Sequence, residues 1–294
     1  MAPASAALRK SQTVPLPPAD SLSDEDFARI AELVGGHTGI RLPAAKRTMV
    51  EGRIRKRMRA TGQSSFADYC RYVFEDGGLA TEATHMIDAV TTNKTDFFRE
   101  PEHFDVLRRH IVPDCLSRSR GGKAAIKVWS AAASNGAEAY TIAMVLAEAA
   151  RSGPKFDFSI LGTDISTDIL VQARRAVYPA DFVAPVPADL QRRYLMHSRN
   201  PAAREVRIVP ELRRHVGFMH LNLMDESYAV DGDVDAIFLR NVLIYFDKPT
   251  QAAVVGRLLK HLRPGGYLLL GHSESMIGAA VRLKQLAPSV FKLV

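Results

Sequence analysis

Apolar side chains recur at helical spacing through the first ninety residues and then regroup into short blocks. Phe27, Ile30, Ala31 and Val34 share one helical face, after a start at Ser23-Asp24-Glu25-Asp26 where Ser23 can cap and Asp26 can complete a capping box. Gly35-Gly36 is expected to end that helix. A second helix follows Pro43, with Val50, Ile54 and Met58 four residues apart, and a third starts at Ser64 or Ser65 and runs through Phe66, Tyr69 and Val73. Gly77-Gly78 breaks it, and a fourth passes through Met86, Ile87 and Val90.

From about residue 123 the period changes. The blocks 125–129, 158–164, 216–221, 234–239, 267–270 and 289–293 read as buried strands, with helices expected over 138–150, 165–176 and 248–262 and a turn at Arg263-Pro264-Gly265-Gly266. Strands without polar alternation, separated by helices, predict an α/β fold with a mostly parallel sheet. The stretch 179–215 is rich in Pro and Arg and too long for a connection, so an inserted subdomain is expected there. The organisation expected is a disordered tail over 1–20, an all-helical domain over 21–90 and an α/β domain over 91–294.

Composition adds limits. No apolar run approaches the ~20 residues that span a bilayer, and Met1 to Asp20 has no apolar core of a signal peptide. Cys70 and Cys115 make neither a disulfide framework nor a metal-ligand spacing, so no metal and a cytoplasmic location are expected. The net charge of +7 admits nucleic acid, an anionic membrane surface or an acidic protein as partner. Its placement is more telling. Arg53, Arg55, Lys56, Arg57 and Arg59 surround the second helix's apolar stripe, with Lys46 and Arg47 before them and Glu51 the one opposing charge. A solvated face is the plain reading. A one-signed run also suits an acidic partner helix, and no interleaved aromatics offer the stacking platforms of a nucleic-acid binder.

Four stretches carry candidate chemistry. Thr91-Thr92-Asn93-Lys94-Thr95-Asp96-Phe97-Phe98-Arg99-Glu100 reads either as a pocket lid, with Asn93 and Thr95 as hydrogen-bonding groups, Phe97 and Phe98 excluding water and Arg99 meeting an anion, or as a helix start with two core phenylalanines. Ser130-Ala131-Ala132-Ala133-Ser134-Asn135-Gly136 joins a strand to a helix N-terminus; its small residues admit a ligand to the backbone, or simply make a tight turn. It lacks the GxGxxG of dinucleotide enzymes. Asp164 closes the second strand, where a carboxylate either accepts ribose hydroxyls or caps the next helix. Arg240, Asn241 and Tyr245 follow another strand, at the end where ligands of parallel sheets bind.

Taken in order, these stretches with Gly-x-Glu-x-Tyr (136–140), Thr-Asp-Ile (163–165), Asn222-Leu223, Arg-Asn-Val-x-Ile-Tyr-Phe (240–246) and Gly-His-Ser-Glu-Ser (271–275) resemble the CheR family of chemotaxis receptor methyltransferases over residues 23–294. The resemblance implies a Rossmann-like S-adenosylmethionine-dependent methyltransferase sheet with a small inserted subdomain behind an all-α domain. It implies that Asn93, Thr95, Arg99, Glu138, Asp164, Asn222, Leu223, Arg240 and Asn241 hold S-adenosylmethionine, with Asp164 on the ribose, Glu138 toward the methionine end and Asn222-Leu223 on the adenine. Arg99 and Tyr245 would stand nearest the reacting atoms. The product would be S-adenosylhomocysteine, and the substrates glutamates on the cytoplasmic helices of methyl-accepting receptors, met by the basic helix. Some members dock a receptor C-terminal peptide through a glycine-rich turn in the insertion; residues 197–204 hold no glycine, so that tether is not expected here. Neither nucleic-acid binding nor membrane insertion is expected, and a monomer is. Rival readings are a methyltransferase acting on nucleic acid or on other protein groups, and a non-catalytic S-adenosylmethionine-binding module.

Overall fold

The computed structural model describes residues 20–91, 93–118, 124–274 and 282–294. The tail read over 1–20 lies outside them except for Asp20, as do Thr92 and Ser275 of the two motifs.

Four helices form the N-terminal part: α1 (Asp24–Thr38), α2 (Arg47–Thr61), α3 (Phe66–Phe74) and α4 (Leu79–Val90). Ser23 caps α1 by accepting from Asp26 N, and Ser65 caps α3 by accepting from Asp68 N. Their apolar faces bury Ile30, Val34, Val50, Ile54, Phe66, Tyr69 and Met86 in one cluster. The helix stop expected at Gly35-Gly36 is wrong. Both glycines lie inside α1, and the chain turns at Gly39, whose φ of 69° is left-handed and whose N–H returns to Gly35 O. Two interior glycines weaken a helix by only about 1 kcal/mol each, less than the packed face holds.

The second part begins with a helical stretch that periodicity did not reveal, α5 (Glu102–Val106), a π-turn (Leu107–Ile111) and α6 (Val112–Arg118). Then come β1 (Ala125–Ala131), α7 (Ala137–Ser152), β2 (Asp157–Asp164) and α8 (Thr167–Arg175). The next segment holds β3 (Val177–Pro179), α9 (Ala188–Tyr194), β4 (Leu195–His197), β5 (Glu205–Ile208) and α10 (Pro210–Arg213). The main fold resumes with β6 (Val216–His220), β7 (Val234–Leu239), α11 (Lys248–Leu259), β8 (Leu262–Leu270), β9 (Leu283–Ala287) and β10 (Val290–Leu293).

Among the described residues the main sheet runs β6-β2-β1-β7-β8-β10-β9, and β3-β5-β4 make a separate small sheet. Pairings from β6 through β8 are parallel; β10 is antiparallel to β8 and β9 to β10. Buried strands with no polar alternation, such as β7, sit in the middle. The turn expected at Arg263–Gly266 is instead part of β8. A register shift against β7 between Val234 and Ala236, with Gly265 at φ 68°, absorbs Pro264 without ending the strand. Strand order reverses between β1 and β7, so the crevice at their carboxyl ends is the expected ligand site.

Candidate active site

A cleft opens at that switch point, with about 1060 Å³ of empty space including its mouth. It gathers Asn93, Thr95, Arg99, Glu138, Asp164, Asn222, Leu223, Arg240, Asn241 and Tyr245 on its walls. The helical part supplies the opposite wall through Thr38, Ile40, Leu42, Lys46, Met49, Val90 and Thr91. Sequence reasoning assigned none of these to the cofactor: apart from Thr91, which opens the 91–100 stretch, they lie in no quoted motif.

Arg240 organises the inner end. Its side chain is 2% exposed, and its Nη1 donates to Glu138 Oε2 at 2.9 Å while Nη2 donates to Glu100 Oε2 at 3.0 Å and to Arg99 O. Ser130 Oγ donates to the other oxygen of Glu138 at 2.7 Å. One guanidinium thus ties the end of β7, the start of α7 and the Arg99–Glu100 turn together, and two carboxylates balance it. Burial pushes the Glu100 carboxyl up, but Arg240 and Asn241 outweigh burial and hold it below the usual range.

Asn241 takes a left-handed φ of 60°, and a buried carboxylate steadies this turn. Glu274 accepts from Asn241 N at 2.9 Å, Leu243 N at 2.7 Å and Gly271 N at 2.6 Å. Burial raises its pKa against those three N–H groups. Gly271 has no room for a side chain: a Cβ there would lie 2.6 Å from Asn241 Nδ2 and 2.9 Å from Glu274 Oε2. Glu100, Gly271 and Glu274 were not singled out as site residues, although each stood inside a quoted motif.

Asp164 ends β2 and is 6% exposed. Its Oδ2 accepts from Ser134 N at 2.9 Å and its Oδ1 from Ser166 N at 3.0 Å. Burial raises its pKa, opposed by those N–H groups. Capping of α8 falls to Ser166, which accepts from Ile169 N. An ionised carboxylate has about four acceptor positions, so two backbone bonds leave Asp164 able to take ribose hydroxyls.

Other expectations need correction. Phe97 and Phe98 do not cover the cleft. Phe97 is 1% exposed in the core, edge-on to Tyr178 at 5.0 Å, and Phe98 meets Phe104 at 5.6 Å. Left-handed backbone at Phe98 and Glu100 turns these rings inward while Thr95, Asp96 and Arg99 reach the cleft. Asn222 lines the cleft, but its Nδ2 donates to His37 O at 2.6 Å and its Oδ1 accepts from Met224 N at 2.9 Å. Its amide therefore docks the helical part and fixes its own loop.

The basic helix divides. Arg57 binds buried Glu82 through Nε at 2.7 Å and Nη2 at 2.9 Å. Arg53 donates to Val90 O and Thr91 O at 2.5 and 2.7 Å. Arg55, Lys56 and Arg59 are exposed. None of the five lines the main cleft, whereas Lys46 does, its ammonium 4.8 Å from the centre of the Tyr245 ring.

The lining fits S-adenosylmethionine. Asp164 has open acceptor positions, Ile165, Leu221, Leu223 and Phe246 are apolar surface for a purine, and Glu138, Arg99 and Asn93 offer polar contacts to an amino-acid end. Sheet order and cleft together define the class of Rossmann-like S-adenosylmethionine-dependent methyltransferases. Residues 93–291 match the family model described as CheR methyltransferase, SAM binding domain, and residues 25–91 the one described as CheR methyltransferase, all-alpha domain. The chain is 38% identical to Chemotaxis protein methyltransferase 2 of Pseudomonas aeruginosa, over 91% of this chain and 92% of that one. It is 40% identical to the chemotaxis protein methyltransferase of Salmonella typhimurium, over 87% and 85%. The chain belongs to the CheR methyltransferase family. Among the described residues no helix is long and apolar enough to cross a membrane.

Proposed function

We propose that this chain transfers the methyl group of S-adenosylmethionine to glutamate side chains on the cytoplasmic helices of chemotaxis receptors, giving methyl esters. Family membership supports methyl transfer in chemotaxis. The observation that carries the glutamate reading is the cleft's lining: Lys46, Lys94 and Arg99 stand with Tyr245 and outnumber Asp96, the one lining carboxylate not tied up by Arg240 or by backbone N–H groups, and among the described residues no histidine lines the cleft. Such a set draws in an anion and offers no imidazole base. A glutamate needs none, being ionised at pH 7.

The bound cofactor supplies an electrophilic methyl carbon. Asp164, Glu138, Asn93 and Thr95 hold and orient it, while Leu223 and Phe246 exclude water. Arg99, held by its own bond to Lys94 O at 3.2 Å, and Tyr245 align the incoming carboxylate. That alignment stays partial, since gripping the ground-state anion tightly slows its attack. Residues 21–90 act as the receptor-reading domain and 91–294 as the methyltransferase domain, with 179–215 inserted. Arg55, Lys56 and Arg59 present their charge to a glutamate-rich helix lying along α2, with Arg53 and Arg57 shaping the same helix from beneath. A cytoplasmic monomer suffices for all of this.

The test uses methyl-labelled S-adenosylmethionine and a receptor cytoplasmic fragment, followed by alkali. Volatile labelled methanol is the expected product; alkali-stable label would refute an ester. Arg99→Ala is expected to lower turnover at least tenfold with cofactor binding retained, and full turnover would remove Arg99 from this role.

A further inference from the structure

On the far side of the Arg240 network lies a group the methyl-transfer reading does not use. Glu100, His103 and His272 place one ligating atom each within 4.8 Å of one another. His103 is 1% exposed, and neither of its ring nitrogens makes a hydrogen bond. A buried imidazole with two unsatisfied nitrogens is costly, and such groups normally have a partner. Its nearest counterpart is Glu100 Oε2, 3.5 Å from Nδ1. His272 stands edge-on to it with ring centroids 5.1 Å apart, and is 47% exposed. Exposed Glu102 reaches within 4.0 Å of His272 Nε2.

We propose that Glu100, His103 and His272 form a binding site for a divalent transition-metal ion of the zinc class, with Glu102 or water as fourth ligand. The donor set is two imidazoles and a carboxylate, which suits Zn²⁺, Co²⁺ or Ni²⁺ and not the oxygen-seeking Mg²⁺ or Ca²⁺. Tetrahedral zinc with bonds of about 2.0–2.2 Å sets its ligand atoms about 3.3–3.5 Å apart. The Glu100–His103 pair already has that separation. The remaining closure falls to His272, whose exposed ring has room to move and gives the ion a way in from solvent. Arg240 repels an incoming cation, but Glu138 also neutralises it at 2.9 Å, which frees Glu100 to share an oxygen.

The experiment uses the untagged full chain, stripped with a chelator and titrated with Co²⁺ for its visible ligand-field bands and with Zn²⁺ by calorimetry. One equivalent is expected, with the bands of a low-coordinate site that Zn²⁺ displaces. His272→Ala is expected to weaken affinity at least tenfold, and His103→Gln to abolish the bands. Exposed His85, remote in sequence from the cluster, serves as control, and His85→Ala is expected to bind as the parent does. Should His103→Gln fail to fold, His272→Ala decides alone. Absence of a stoichiometric ion, unchanged affinity in His272→Ala, or loss of binding in His85→Ala each overturns the proposal.

Discussion

Replacing Glu274 by Gln tests how the turn after β7 is held. Glu274 Oε2 accepts from Asn241 N and Gly271 N, and Oε1 from Leu243 N. A glutamine places its oxygen best at the Oε2 position, which keeps two bonds. Its amide then faces the Leu243 N–H, donor against donor, in a site 6% exposed. Leaving one buried donor unpaired costs about 1–3 kcal/mol. Relief of a desolvated carboxylate, whose pKa burial has raised, offsets a part. The expected loss is about 2 kcal/mol. Trp129, the single tryptophan and fully buried against Thr163 Oγ1 at 2.9 Å, reports urea unfolding by fluorescence. Because the same turn carries Asn241 and Tyr245 into the cleft, S-adenosylhomocysteine affinity by calorimetry is expected to fall about tenfold. A stability change under about 0.5 kcal/mol together with unchanged affinity would refute the reasoning.

Further expectations concern other parts of the molecule. Asp164→Ala removes the acceptor proposed for the ribose and frees Ser134 N and Ser166 N; calorimetry is expected to show cofactor affinity down at least tenfold, and parent-like affinity would take Asp164 out of the site. Arg57→Met strands buried Glu82, which then keeps only the Tyr69 hydroxyl at 2.9 Å, and is expected to cost about 3–5 kcal/mol in urea unfolding. Arg59→Glu on the exposed face is expected to change stability by under about 0.5 kcal/mol yet to slow receptor methylation at low salt. Glu148 is held down to about 2, chiefly by Arg151, with Tyr194 and Arg193 adding to it. An unfolded glutamate titrates near 4.3, so between those values the unfolded chain binds more protons and stability falls with pH. After solvent screening this is about 1 kcal/mol, present above that unfolded value and lost as pH falls toward 2. Parent and Glu148→Gln melting curves are expected to converge from pH 6 to pH 3, and a constant gap would contradict this.

The parallel core was legible because β1, β2 and β7 are bounded apolar blocks, β2 ending in Asp164 and β7 running straight into Arg240. The cleft residues were legible because Asp164 and Arg240 sit where an apolar run stops. Phe97 and Phe98 misled because two adjacent aromatics carry no direction; the backbone at Phe98, left-handed in a non-glycine residue, sets it. Arg57 misled because its partner Glu82 is 25 residues away on another helix, and a charge run does not show which members are neutralised. The small sheet's strands of three or four residues are too short to leave a period, and Leu283–Ala287, for which no strand was expected, is a strand only through its pairing with β10.

The strap between α1 and α2 is pinned at both sides of the cleft: Asn222 holds His37 O, and Arg41 N donates to Tyr245 O at 3.1 Å. Lys46, a few residues on, is the residue just before α2, the helix proposed to face the receptor. The two halves of the molecule are therefore not interchangeable parts. A helical half grafted from a relative brings its own strap, and wherever that strap mismatches the loops at 222 and 245 the graft distorts the cofactor's wall. On the proposed reading, receptor preference can drift on the outward side of α2, while the strap before it must change in step with the catalytic half or not at all.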